Sequence, residues 1–293
     1  MWGHLRDRDH GRAALAGEAS AAAAEALLRS EGAPEHPGRT RSAAFFDVDN
    51  TLMRGASIYH FARGLAARDL FTTRDLLRFG WGQMIFRISG TEQPDHINAA
   101  REAALAFVAG HKVDDLVTLC EEIYDDSMAS RIWEGARVLV QRHLNAGQRV
   151  WLVTATPVEL ADIIKRRLGL SGALGTVAES VDGVYTGRLV GDLLHGPAKA
   201  QAVRALAKLE DLDLSACTAY SDSYNDLPLL SAVGHPNAVN PDDDLQGYAA
   251  AHGWPVHDFR RHRRALTVGL PAAVAGAVAG GVAVGVLRRR RRF

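Results

Sequence analysis

The feature that most constrains this chain is the stretch Arg41–Leu52, RSAAFFDVDNTL, where four apolar residues run straight into two aspartates one residue apart. An apolar run of that length, closed by turn formers, reads as a buried parallel strand. Open α/β sheets carry their ligands at the C-terminal end of such strands. Alternate side chains of extended backbone share a face, which sets Asp47 and Asp49 side by side. Two like charges so close are unfavourable unless a cation neutralises them or one carboxyl keeps its proton. A plain strand followed by an Asx-type turn would give the same letters, so the rest of the chain must supply the remainder of a site.

Later segments supply it in order. Gln148–Val153 reads as a second buried strand ending in Thr154-Ala155-Thr156-Pro157, followed by a helix from Val158 that stops at Gly169. Leu174 to Leu189 reads as a strand, the turn pair Asp182-Gly183 and a return strand. Gly196-Pro197-Ala198-Lys199 opens a helix in whose first turn Lys199 opposes the helix dipole, so a structural motive for that lysine is weak. Cys217–Tyr220 is a further strand, running into Ser221-Asp222-Ser223-Tyr224-Asn225-Asp226. Pro236–Val239 and Trp254–Val256 add strands around a helix at Asp242–Ala251. Strand and helix alternate throughout, which predicts an α/β fold with a parallel sheet covered by helices on both faces.

Between the first two strands the apolar spacing is helical. Ile58, Phe61 and Leu65 mark one helix, Leu76, Leu77 and Phe79 with Met84, Ile85 and Phe86 a second, and Leu116, Leu119 and Ile123 a third. Trp133–Asn145 leads back towards the sheet. The expected organisation is a disordered tail over 1–41, a core of 42–52 and 149–258, a helical cap over 53–148, and a basic, apolar tail over 259–293. The N-terminal tail is Ala-rich, with an apolar face of methyl groups that could bury little, and Arg12, Glu18 and Glu25 argue against a signal peptide. Segment 265–287 carries no charge, is long enough to cross a bilayer, and is flanked by Arg260–Arg264 and Arg288–Arg292. A cytoplasmic protein held at the membrane by that segment is therefore expected. Two cysteines without ligand spacing read as reduced core thiols, and a formal net charge of zero gives no sign of nucleic acid as a partner.

Carboxylate oxygens with room left for water and phosphate suit Mg²⁺. A phosphorylated small metabolite or lipid headgroup fits the vacancy. Asp47 could attack phosphorus while Asp49 protonates the leaving oxygen, with Thr154 and Lys199 on the non-bridging oxygens. The succession DVDNT, VWLVTATP, GPAKAQAV and YSDSYNDLPLL resembles the four motifs of the haloacid dehalogenase-like (HAD) phosphatases. The helical insertion and the hairpin before the lysine are similar to the phosphoserine-phosphatase-like branch, subfamily IB, over roughly Ser42 to His257.

The resemblance implies a Rossmann-like core with a helical cap and an aspartyl-phosphate on Asp47, with Asp49 as acid and base. It also implies Mg²⁺ held by the Asp47 carboxylate, the Asp49 carbonyl and Asp222, supported by Asp226. Thr154, Lys199 and Asn225 take phosphate or substrate roles. Two departures stand out: Ser221 and Ser223 replace glycines usual in the last motif, and Arg54–His60 lacks the carboxylate that phosphoserine-specific relatives direct at the substrate ammonium. The expectation is therefore a phosphatase for which phosphoserine is not the favoured substrate, with Arg54, Ser57, Tyr59 and His60 as candidates for selecting the leaving group. A phosphotransferase and a binding or regulatory protein on the same fold are the competing readings.

Overall fold

The computed structural model describes residues 3–31, 40–68, 105 and 108–260. Its strands are β1 (Ala43–Phe46), β2 (Arg149–Pro157), β3 (Gly172–Thr176), β4 (Ala178–Val181), β5 (Val184–Leu189), β6 (Thr218–Ser221), β7 (His235–Val239) and β8 (Val256–His257). The described helices are α1 (Gly3–Ser30), α2 (Ser57–Ala66), α3 (Val113–Ile123), α4 (Glu134–Asn145), α5 (Val158–Leu168), α6 (Pro197–Leu209), α7 (Leu227–Leu230) and α8 (Asp243–His252). Six strands form one sheet in the order β3-β2-β1-β6-β7-β8, with β1 parallel to β2 and β6, β2 to β3, and β6 to β7. All four residues of β1 are buried, as a central parallel strand covered on both faces requires. The chain leaves β1 towards β2 on one side and later returns to β6 on the other, so the crevice at the C-terminal end of β1 is the topological switch point.

The cap begins and ends at a narrow junction. Met53 forms an antiparallel bridge with Ile132, Arg54 N–H donates to the Arg131 carbonyl at 2.9 Å, and Trp133 N–H to the Leu52 carbonyl at 2.9 Å. Beyond it, α2 buries Phe61 and Leu65 while Ile58 faces out, one position from where its spacing placed it. Leu116 and Ile123 of α3 are buried as expected. The expected helix marked by Leu76 to Phe86, and the apolar segment 265–287, lie outside the described residues. Among the described residues no helix is long and apolar enough to cross a membrane. The chain divides after Val256, and of the second unit residues 257–260 are described.

Two expectations need correction. Residues 3–30 are not a disordered tail but the helix α1, with Ala16, Ala21 and Ala24 buried in the same core cluster as Ala198 and Ala202 of α6, and Ser20 buried as well. Small side chains do bury little area each, but they let two helix backbones approach closely, and the many short contacts sum. A Cβ at Gly17 would lie 2.6 Å from the Ala202 nitrogen. Lys165 closes the end of α1, 2.6 Å from Glu31. The second correction concerns the strand begun at Leu174. Gly172–Thr176 pairs with β2 in the main sheet, and only after Val177 does the chain enter the β4–β5 hairpin. That hairpin then joins the cap rather than the sheet: Tyr185 N–H donates to the His111 carbonyl at 3.0 Å and Val113 N–H to that of Gly183 at 2.9 Å.

Candidate active site

Three adjacent parallel strands end at one place. Phe46 is in register with Leu152 of β2 and Tyr220 of β6, so Asp47, Thr154 and Asp222 follow within two residues of the same level. Asp47 N–H extends the ladder to the Tyr220 carbonyl at 3.0 Å, which fixes its side chain at the sheet edge. The turn after it is tight: Asn50 takes a φ of 56°, a region Asn tolerates, and its Oδ1 accepts from Gly55 N–H at 3.1 Å. Asn240 Nδ2 donates to the Asn50 carbonyl at 2.8 Å and ties this turn to the end of β7.

Lys199 enters from the first turn of α6. Gly196 at its N-cap has a φ of 51°, which an L side chain rarely adopts. The ammonium donates to Asp47 Oδ1 at 2.6 Å and to Asp226 Oδ2 at 2.7 Å, and all three side chains are almost fully buried. Ser221 Oγ donates to the same Asp226 oxygen at 2.7 Å. The serine in place of the expected glycine therefore has a partner in the site. Ser223 Oγ accepts from Asn225 N–H at 3.3 Å and caps the short turn Tyr224–Asp226. Thr51 Oγ1 reaches Asp222 Oδ1 at 3.5 Å. Asp49 Oδ1 accepts Ser57 N–H at 2.8 Å, and Thr154 Oγ1 lies 2.9 Å from Thr156 Oγ1. Hence Asp47, Lys199 and Asp226 are joined directly, Asp49 and Thr154 through their neighbours, and Asn225 through its backbone.

Of the expected selectors, Tyr59 is exposed, whereas Ser57 and His60 are buried. Arg54 is engaged with the Ser130 carbonyl at 2.8 Å and lies over Trp133. Thr51 and Thr156 were not singled out from the sequence, and Ser221 stood out there only as a departure from glycine. A hydroxyl two residues beyond Thr154 was the one available sign, and only packing could show where it points.

Burial pushes the Asp47 carboxyl up to about 7, with Lys199 opposing and Asp226 and Asp49 adding to the rise. Asp222 is raised well above the carboxylate range by burial and then by Asp47 and Asp226. Asp49 is raised by burial, against the pull of its Ser57 hydrogen bonds. For Lys199 burial acts downward, but Asp226 and Asp47 outweigh it, so it stays charged. The corner therefore holds more negative charge than one ammonium offsets, and a divalent cation would reverse the shifts. Among the described residues no three His, Cys, Asp or Glu side chains form a ready cage for a metal ion. An octahedral ion that keeps several waters needs only one or two carboxylates, and the mutually repelling carboxyls of Asp47 and Asp222 have the chemistry to fit one.

The profile of the haloacid dehalogenase-like hydrolases matches residues 44–231. A putative hydrolase of Mycobacterium leprae is 57% identical over 242 residues, 83% of this chain and 81% of its own. Phosphoserine phosphatase SerB1 of Mycobacterium tuberculosis is 58% identical over 234 residues, 80% of this chain and 76% of its own. A crystal structure of a Bordetella pertussis protein of unknown function superposes with a TM-score of 0.66 at 33% identity, covering 75% of this chain and 99% of that one. The chain belongs to the haloacid dehalogenase-like hydrolase family.

Proposed function

We propose that this chain is a Mg²⁺-dependent phosphatase that hydrolyses a small phosphomonoester through an aspartyl-phosphate on Asp47. The observation that carries the reading is the buried Lys199 ammonium between Asp47 and Asp226 at the switch point of the sheet. A lysine held there meets the non-bridging oxygens of a phosphoryl group beside the attacking carboxylate, where fixed positive charge stabilises the transition state. Asp47, Asp222 and the Asp49 carbonyl would hold the ion, with Asp226 in support; when bound, Mg²⁺ supplies positive charge at the transferring phosphoryl group. An Asp47 oxygen bonds to phosphorus as the ester P–O bond breaks, and Asp49 gives its proton to the departing oxygen. Asp49 then takes a proton from the water that attacks the phosphorylated Asp47, releasing inorganic phosphate and restoring both carboxyls. Thr154 contributes a hydroxyl donor to the phosphoryl oxygens, and Asn225, on the last motif, is a candidate for a further contact to phosphate or substrate.

The leaving group is a small alcohol. The relative named phosphoserine phosphatase supports a phosphorylated metabolite of that size, while the absence of a carboxylate from Arg54–His60 speaks against a substrate selected there by its ammonium. The apolar segment 265–287 between arginine clusters favours a cytoplasmic enzyme held at an anionic membrane surface, where a lipid headgroup would be within reach. Asp47→Asn is expected to lower turnover of an aryl phosphate on the order of 10³-fold or more with the fold intact, since it removes a repelled charge. Wild-type rate in that variant would end the mechanism. A screen of phosphorylated metabolites, phosphoserine and lysophospholipids with Mg²⁺ identifies the substrate.

A further inference from the structure

Two hydroxyls to which the motifs assign no role, Ser57 and Thr156, meet beside Asp49 and Thr154. Ser57 is the first residue of α2 and belongs to the cap; Thr156 belongs to β2 of the sheet. They are 0% and 3% exposed, and their Oγ atoms are 2.5 Å apart. Thr154 Oγ1 donates to Thr156 Oγ1 at 2.9 Å. Either hydroxyl of the Ser57–Thr156 pair can donate to the other, so the contact ties the first residue of α2 to β2 whichever way its proton points. The main chain reinforces the contact. Ala56, the N-cap of α2, has no side-chain oxygen, and the Asp49 carboxylate accepts the first helical N–H in its stead. A line of hydroxyl contacts therefore runs from Thr154 across the junction of sheet and cap to Ser57, whose N–H holds Asp49.

We propose that Ser57 and Thr156 are positioning residues for proton delivery: they hold the Asp49 carboxyl towards the leaving oxygen and make its orientation depend on α2 being seated against the sheet. This inference rests on the phosphatase reading. When the ester P–O bond breaks, the leaving oxygen takes the Asp49 proton together with the bonding pair. Asp49 is left as a carboxylate, and the Ser57 N–H, seated by the Ser57–Thr156 contact, is the donor that stabilises it. Thr154, at the other end of the line, keeps the phosphoryl group in register with that transfer.

Ser57→Ala and Thr156→Val remove the hydroxyls at nearly constant shape. The readout is kcat/KM on p-nitrophenyl phosphate, whose leaving group departs without a proton, against an alkyl phosphate that the wild type hydrolyses, whose leaving group needs one. Each variant is expected to lose about tenfold or more on the alkyl ester and less than about threefold on the aryl ester. The double variant should lose no more than the worse single, because both hydroxyls act in one line. Equal losses on the two esters, or a double loss equal to the product of the single losses, would overturn the proposal. A variant that is merely less folded loses activity on both esters alike and so counts against it. Wild type inactive on every phosphomonoester overturns the phosphatase reading itself, whereas an active wild type with no split between esters overturns only the role of Ser57 and Thr156.

Discussion

Lys199 touches two carboxylates at once, and that single contact orders the electrostatics of the site. Its charge is not enough to hold Asp47 in the ordinary carboxylate range, which burial lifts from 3.8 to about 7. A carboxyl whose pKa is higher folded than unfolded binds more protons in the folded state between the two values. Its contribution to stability is therefore present at low pH and lost as pH rises through roughly 4 to 7. In chelator, the thermal midpoint is expected to fall across that window, and adding Mg²⁺ at pH 7 should raise it, since an ion bound only by the folded chain stabilises it by mass action. A flat profile without Mg²⁺, or no response to the ion, would remove the account of uncompensated carboxylates. Neither measurement depends on knowing the substrate.

At the scale of elements, α1 and the β4–β5 hairpin are the pieces whose placement mattered most. The close approach of α1 to α6 depends on Gly17, above the Ala202 backbone, and α6 is the helix that presents Lys199. Gly17→Leu cannot be absorbed by a flexible neighbour, because the atom it meets is main chain. It is expected to destabilise by about 1–3 kcal/mol, a fall of roughly 2–10 °C in thermal midpoint for a domain of this size. An unchanged midpoint would show that α1 does not rest on α6 through this face. The hairpin has a different task. It pairs with 110–113 of the cap while Tyr185 Oη donates to Glu159 of α5 at 2.7 Å, so it links cap to core away from the junction at Met53. Arg166 and Arg167 of α5 add ion pairs to Glu121 and Asp125, but these are exposed and contribute little.

For the whole molecule, the catalytic portion and the C-terminal segment are separable by length alone. A chain ending at His257 is expected to keep its phosphatase rate and to lose sedimentation with vesicles containing anionic lipid, which the full chain should show. Equal binding by both, or by neither, would remove the tether. Sequence by itself determined the parallel sheet and the order of its motifs, and it singled out Asp47, Asp49, Thr154, Lys199 and Asp222 as candidates. Those signals are local: an apolar run meeting a carboxylate, a proline or glycine at a helix end, a lysine where the helix dipole disfavours it. Tertiary structure alone decided that α1 is part of the core, that β3 belongs to the sheet and the hairpin to the cap, and which atoms the Ser57, Thr156 and Ser221 hydroxyls meet. An alanine-rich helix has no amphipathic contrast until a second helix of small residues lies against it. A buried hydroxyl is silent in a sequence because its meaning is the atom across from it, and for Ser57 that atom lies 99 residues away.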